Sequence, residues 1–170
     1  MSFAIKHIPK KDVSEALMKA YPDFRYYHIE ALQAIFELSS DMEKAMEQYF
    51  VRHKFSRARF LILIVLMHNE AGRMTPNEIA KSLNVTRGNM TGLIDCLLEA
   101  GLVTKVQDQE DRRQVWIKIT PKASKFLDGF LPDYFKRLAK FMSVLKREEV
   151  ETLIQISRKL DGAVQVFSEE

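Results

Sequence analysis

The sequence predicts a mainly α-helical protein with one small β hairpin. Three observations lead there. Glycine and proline number only six and five in 170 residues, so little interrupts a helix. Apolar residues recur at helical spacing over most of the chain. Between Leu102 and Ile119 that spacing gives way to two short extended runs around a charged stretch, the second strictly alternating.

Composition sets the outer limits. Hydrophobic residues at 46% and charged residues at 29% belong to a globular chain rather than a disordered one. The length suits one compact domain or two small lobes sharing a core. The longest apolar run, Phe60 to Met67, falls well short of the roughly 20 residues a membrane span needs. The opening Met-Ser-Phe-Ala-Ile-Lys-His has no signal-peptide pattern, so a cytoplasmic protein is expected. A single cysteine, Cys96, excludes an intramolecular disulfide and a cysteine-cluster metal site. His7, His28, His53 and His68 do not fall at metal-ligand spacing, and no cofactor is expected. The net charge of +3 admits a nucleic-acid partner without requiring one.

The elements follow in order. Asp12 to Ala20 is a short helical candidate closed by Tyr21-Pro22. From Phe24, apolar positions run through His28, Ala31, Ile35, Leu38, Met42, Ala45 and Tyr49 in a strict heptad. Tyr27, Leu32, Met46 and Phe50 widen the stripe, so this long helix needs more than one neighbour, and a second subunit is a candidate for one of them. Phe60 to Met67 lacks a period but is flanked by helix formers, which predicts a buried helix over 56–69. Thr75-Pro76-Asn77-Glu78 then reads as a cap, a first-turn proline and a capping-box glutamate. That helix is short and ends near Leu83-Asn84, and Thr86 reads as the cap of the next. Met90, Leu93, Ile94, Leu97 and Leu98 make the stripe of a helix laid on a core, and Ala100-Gly101 stops it. Leu102–Gln107 and Gln114–Ile119 form the hairpin. Thr120-Pro121 starts a helix to about Val144, expected to kink at Leu131-Pro132. A last helix spans about Arg147 to Phe167.

A helix, a short helix, a tight turn, an amphipathic helix and a charged hairpin make up the winged helix-turn-helix plan. Held by its apolar side, the amphipathic helix can offer its polar N-terminal end to the major groove while the hairpin lies over the backbone or minor groove. Opposite its stripe lie Gly88, Gly92, Asp95 and Glu99, with Asn89, Thr91 and Cys96 on the flanks. Small residues at the start allow close approach, and Arg87, Asn89 and Thr91 carry donors for bases or phosphates. Asp95 and Glu99 repel phosphate, so only the first two turns are expected to enter the groove.

These residues resemble the MarR family of bacterial transcriptional regulators. The resemblance is carried by Thr75 to Leu83, by Val85-Thr86-Arg87-Gly88-Asn89-Met90-Thr91, by Ile94 to Val103, and by Asp111-Arg112-Arg113 running on into Ile117-Lys118-Ile119-Thr120-Pro121. It is dense from about Phe60 to Phe126. It implies a homodimer with interleaved terminal helices and two winged lobes on successive major grooves of a near-palindromic site. It divides the chain into an N-terminal arm and dimerisation helix (1–55), the DNA-binding lobe (56–121) and C-terminal helices completing the dimer (122–170). The matching positions make Thr86, Arg87, Gly88, Asn89 and Thr91 the major-groove set, although Thr86 is by spacing chiefly a cap. In the wing, Arg113 is expected in the minor groove with Asp111 holding its guanidinium, and Arg112 on phosphate. Asp108 is followed by Gln109 where the family has proline, so a looser tip is expected. The resemblance further implies a repressor released by a small ligand, often an anionic aromatic one, in a crevice between the dimer helices and the lobe.

Two rival readings stay open. Six basic residues meet six acidic ones between Thr75 and Thr120, a balance that also suits a winged module binding protein instead of DNA. A regulator switched by oxidation of Cys96 is the other, although no cation at helical spacing would activate that thiol. An enzyme is not expected, since the sequence holds no nucleophile–base pair, phosphate loop or metal cluster.

Overall fold

The structure is a computed structural model. It describes residues 11–108, 111 and 114–169, without the side chains of residues 11–15 and of Arg87.

The chain opens with α1 (Lys11–Ala20) and the long α2 (Tyr26–Arg52). Arg25 folds back before α2, its guanidinium donating to the carbonyls of Pro22 and Phe24 at 2.7 and 2.8 Å. The heptad therefore becomes helical two residues after Phe24. Lys54 takes a left-handed φ of 53° and reverses the chain so that Phe55 enters the core. Ser56 caps α3 (Arg57–His68), its Oγ accepting from the Arg59 N–H at 3.3 Å. The aperiodic apolar run is explained by burial on several sides: Phe60, Ile62, Leu63 and Leu66 are all in the core.

The lobe closes around α3. Strand β1 (Arg73–Met74) leads into α4 (Pro76–Ser82), whose capping box forms as the spacing predicts. The Thr75 N–H donates to Glu78 Oε2 at 2.7 Å, and the Glu78 N–H to Thr75 Oγ1 at 3.3 Å. Asn84, at a left-handed φ of 52°, makes the turn to α5 (Arg87–Glu99); asparagine tolerates that region better than most residues. The C-terminus of α5 is closed by Gly101 at φ 66° and by Lys122, whose Nζ donates to the Ala100 carbonyl at 2.8 Å. Strands β2 (Val103–Gln107) and β3 (Val115–Ile119) form the hairpin, and β1 adds to its free edge in the order β1-β3-β2, antiparallel throughout. Met74 and Lys105 flank Ile117 in register, and Ile117 is fully buried.

After the lobe come α6 (Pro121–Met142), capped by Thr120, and α7 (Arg147–Ala163), followed by a single 3-10 turn, Val164–Phe167. One expectation changes here: the last helix tightens after Ala163 instead of running as α-helix to Phe167. At Leu131-Pro132, where a kink is expected, α6 continues as helix through the proline. The proline's fixed φ suits a helix, and the carbonyl it leaves without a partner, four residues back at Asp128, lies at an exposed position where water can serve it.

An aromatic cluster joins the long helices to the lobe. Phe50 of α2 is fully buried, stacked on Phe130 of α6 at 5.6 Å and tilted against Phe60 of α3 at 5.2 Å. Phe60 and Phe130 meet at 5.1 Å. Because three helices converge on one ring, Phe50→Ala is expected to lower unfolding free energy by about 3–5 kcal/mol. Urea titration of the purified protein checks this, and a loss below 1 kcal/mol would mean that the cluster collapses around the gap.

Candidate nucleic-acid interface

Helix α5 is set by what it buries. Met90, Ile94 and Leu97 are almost wholly enclosed, with Leu93 and Leu98 packed against the same core. The opposite side follows from the helical period. Gly88, Asn89, Thr91, Gly92, Cys96 and Glu99 are exposed. A Cβ added at Gly88 or Gly92 would meet no atom of the chain within 4 Å. The molecule's own packing therefore does not demand glycine there, whereas an external surface lying close against the helix would.

Thr86 occupies the cap position but departs from its expected role. Its backbone is extended (φ −69°, ψ 151°) and its carbonyl accepts from the Met90 N–H at 3.1 Å, yet its side chain makes no capping hydrogen bond. Spacing and backbone make it a cap residue, while its exposed hydroxyl leaves the first-turn N–H groups to other acceptors. Arg87 opens the helix, and its side chain lies outside the described residues. Asp95, halfway along, is paired with Lys105 of β2 at 3.2 Å. One of the two carboxylates expected to repel phosphate is thus partly neutralised within the lobe.

In the wing, Arg112 and Arg113 lie outside the described residues, and with them the expected grip of Asp111 on Arg113. Asp111 itself is exposed. The expected looser tip falls largely outside the described residues. At its base, the Asp111 N–H donates to Asp108 Oδ1 at 2.9 Å, the Gln114 N–H to the Asp111 carbonyl at 2.9 Å, and the Asp108 N–H to the Gln114 carbonyl at 3.0 Å.

A second feature was invisible in the sequence because its members lie far apart. Tyr49 of α2 donates to Asp133 Oδ2 of α6 at 3.2 Å, and Arg137 Nε donates to the same oxygen at 2.7 Å. His53 Nε2 stands 4.0 Å from that oxygen. Beside this cluster, α2 and α6 enclose a groove of about 720 Å³, floored by Met42, Met46, Leu138 and Phe141 and rimmed by Arg52, Arg137 and Lys140. Part of the chain's basic excess therefore collects here rather than on the helix-turn-helix. The hydrogen bond from Arg137, with help from Tyr49, holds the Asp133 carboxyl below its ordinary range despite some desolvation. Burial, then the hydrogen bond to Asp133, pushes the Tyr49 hydroxyl from 10.0 up to about 12.

A short helix and an outward-facing helix joined by a tight turn, backed by a three-stranded antiparallel sheet, define a winged helix-turn-helix protein. The MarR family model matches residues 55–115. The HTH-type transcriptional repressor YetL of Bacillus subtilis (strain 168) is 31% identical over 166 residues, covering 97% of this chain and 99% of the relative. The chain belongs to the MarR family, and it is a MarR-type transcriptional regulator. The fold agrees with a cysteine-to-serine mutant of MarR from E. coli solved with operator DNA, at TM-score 0.69, 23% identity, 81% of this chain and 98% of that one. It also agrees with a MepR-like protein complexed with pseudoligands, at TM-score 0.60, 28% identity, 81% of this chain and 96% of that one.

The Tyr49 proton is bound more tightly in the folded chain than in the unfolded one. The stability it contributes is therefore full below pH 10 and lost as pH rises through about 12. In an alkaline absorbance titration one phenolate should appear only as pH 12 is approached. That late step should vanish in Tyr49→Phe and move to lower pH in Asp133→Asn. A titration indifferent to Asp133→Asn would mean that the hydrogen bond does not form in solution.

Proposed function

We propose that the protein is a homodimeric, sequence-specific DNA-binding repressor of the cytoplasm, released from its operator by a small anionic ligand with an aromatic or apolar body. One observation carries the DNA reading: the polar start of α5 is exposed while its apolar stripe is buried. Thr86, Arg87, Gly88, Asn89 and Thr91 are the groove-entering set, and Asp111, Arg112 and Arg113 the wing set. The operator DNA in the structure of the similarly folded MarR mutant is in keeping with a DNA partner for this fold.

Dimerisation is supported by what a single chain leaves uncovered. Along α2, Ile29, Leu32, Ile35, Phe36 and Leu38 are 38–55% exposed. Helix α7 buries no residue, leaving Leu153, Ile154, Ile156 and Leu160 open. Apolar helix faces of this extent are usually covered by another surface, and a second copy related by a twofold axis brings equivalent faces together. Residues 1–55 and 122–170 would then build the dimer and 56–121 the reading lobe, with the two α5 helices about one duplex turn apart. The groove between α2 and α6 is lined from the two segments that would build the dimer, 1–55 and 122–170. Its apolar floor and three cationic rim residues suit an anionic aromatic effector. Such a ligand acts only by binding the two lobe spacings with unequal affinity.

The rival reading, a winged module that binds protein, draws on the balanced charge of residues 75–120 and on the Asp95–Lys105 pair. Genomic DNA fragments captured by the purified protein decide between the two. The protein should enrich a near-palindromic sequence, and the double variant Arg87→Ala, Arg113→Ala should lose it by at least about 100-fold, the cost of two charge-assisted contacts. Failure to enrich any sequence would favour the protein-binding module, and enrichment untouched by the double variant would remove Arg87 and Arg113 from the reading set. For the dimer, sedimentation equilibrium should give twice the chain mass, and Ile154→Asp should shift the species toward single chains and weaken operator binding in step. A single-chain mass across the concentration range would overturn the two-lobed account.

A further inference from the structure

Trp116 is the only tryptophan in the chain, and it sits on β3 at the base of the wing, beside the strand that leads into the helix-turn-helix. Its indole N–H donates to Asp108 Oδ2 at 2.7 Å. Asp108 spends its other carboxylate oxygen on the Asp111 N–H at 2.9 Å, inside the tip. On the sheet, the guanidinium of Arg73 lies 4.5 Å from the centre of the Trp116 ring, the geometry of a cation–π contact. Arg73 belongs to β1, and Thr75, two residues on, caps α4. A continuous path of contacts thus runs from the start of the helix-turn-helix, through Arg73 and the indole, into the Asp108 carboxylate and the backbone of the tip.

We infer that Asp108 and Trp116 are positioning residues for the wing: their hydrogen bond sets the pose in which the tip meets DNA relative to the helix-turn-helix. The inference rests on the DNA-binding reading and deepens it. An anion this close to the duplex is otherwise a liability, because a carboxylate repels phosphate. Its presence there is accounted for if it orders the loop that carries Arg112 and Arg113. A charge-assisted hydrogen bond from the indole is directional, and the Arg73 contact limits how far the ring can swing. An asparagine at 108 offers one acceptor oxygen, so it cannot hold the indole N–H and the Asp111 N–H on separate oxygens.

The sign of the effect separates positioning from charge. If Asp108 acted only through its field, Asp108→Asn would strengthen DNA binding and steepen its salt dependence. Positioning demands the reverse. On a duplex enriched by the wild-type protein, Asp108→Asn and Trp116→Phe should each weaken binding about tenfold, the loss of one charge-assisted hydrogen bond. The double variant should be no weaker than the worse single, because both remove the same bond. Intrinsic emission supplies a second readout: Trp116 should change its emission on Asp108→Asn and again when wild-type protein binds the duplex. Unfolding midpoints near wild type keep these losses from being misread as misfolding, and Trp116→Phe retains the ring that packs on Arg73. Tighter binding by Asp108→Asn, additive losses, or emission unmoved by the substitution would overturn the inference while leaving the DNA reading intact. A wild-type protein that enriches no duplex would overturn both.

Discussion

The burial of one face of α5 is the constraint from which the rest follows. Met90, Ile94 and Leu97 can leave water only by pressing α5 onto α3, α4 and β2, and each fully buried side chain of this size contributes about 1.5–3 kcal/mol. Helix α5 carries a single apolar stripe, so the same force that anchors the helix turns Gly88 and Gly92, on the opposite side, outward. The tight turn at Asn84 follows from this too, because α4 must place Ile79 and Ala80 in the same core within a few residues of Met90. Presentation of a polar tip thus needs no device of its own.

The lobe is one half of the molecule's physical logic and the aromatic junction is the other. Phe50, Phe60 and Phe130 lock α2, α3 and α6 together, while Tyr49, Asp133 and Arg137 cross the adjacent gap between α2 and α6 with hydrogen bonds. Interlocked rings resist continuous deformation, so α2, α3 and α6 are held to one arrangement where they meet. The groove sits beside that junction, which is why the proposed effector site is placed there.

Legibility in the sequence tracked how local each cause is. The capping box at Thr75 and Glu78, the caps at Ser56 and Thr120, the α5 stripe and the hairpin are all decided by residues a few positions apart, and all were readable. Strand β1 was not, because Arg73 and Met74 have no strand pattern of their own and pair only where β3 offers a free edge. The Tyr49–Asp133 bond joins residues 84 positions apart, and no periodicity marks it. Thr86 was half legible: its spacing identified the cap position, but the rotamer of a hydroxyl open to water is not encoded locally. Asp108 was read by what the loop lacks, a proline, rather than by the two hydrogen bonds that its carboxylate makes. Gly88, Asn89 and Thr91 were legible as exposed positions because the stripe defines its own opposite face.

Charge decides how such a lobe can discriminate. Residues 75–120 carry no net charge, and two nearby cations are engaged inside the protein: Lys105 with Asp95, and Lys122 with the C-terminal carbonyl of α5. Non-specific attraction to DNA scales with the phosphates neutralised, and each such contact adds to the salt dependence. With a weak general field, a MarR-type lobe of this composition gains little from any duplex it meets at random. On the proposed reading its selectivity comes from the placement of a few donors at the start of α5 and in the wing, and the buried stripe holds the first of these in position. The neutrality that argues against DNA binding on a simple count therefore sharpens discrimination once those donors are held in position.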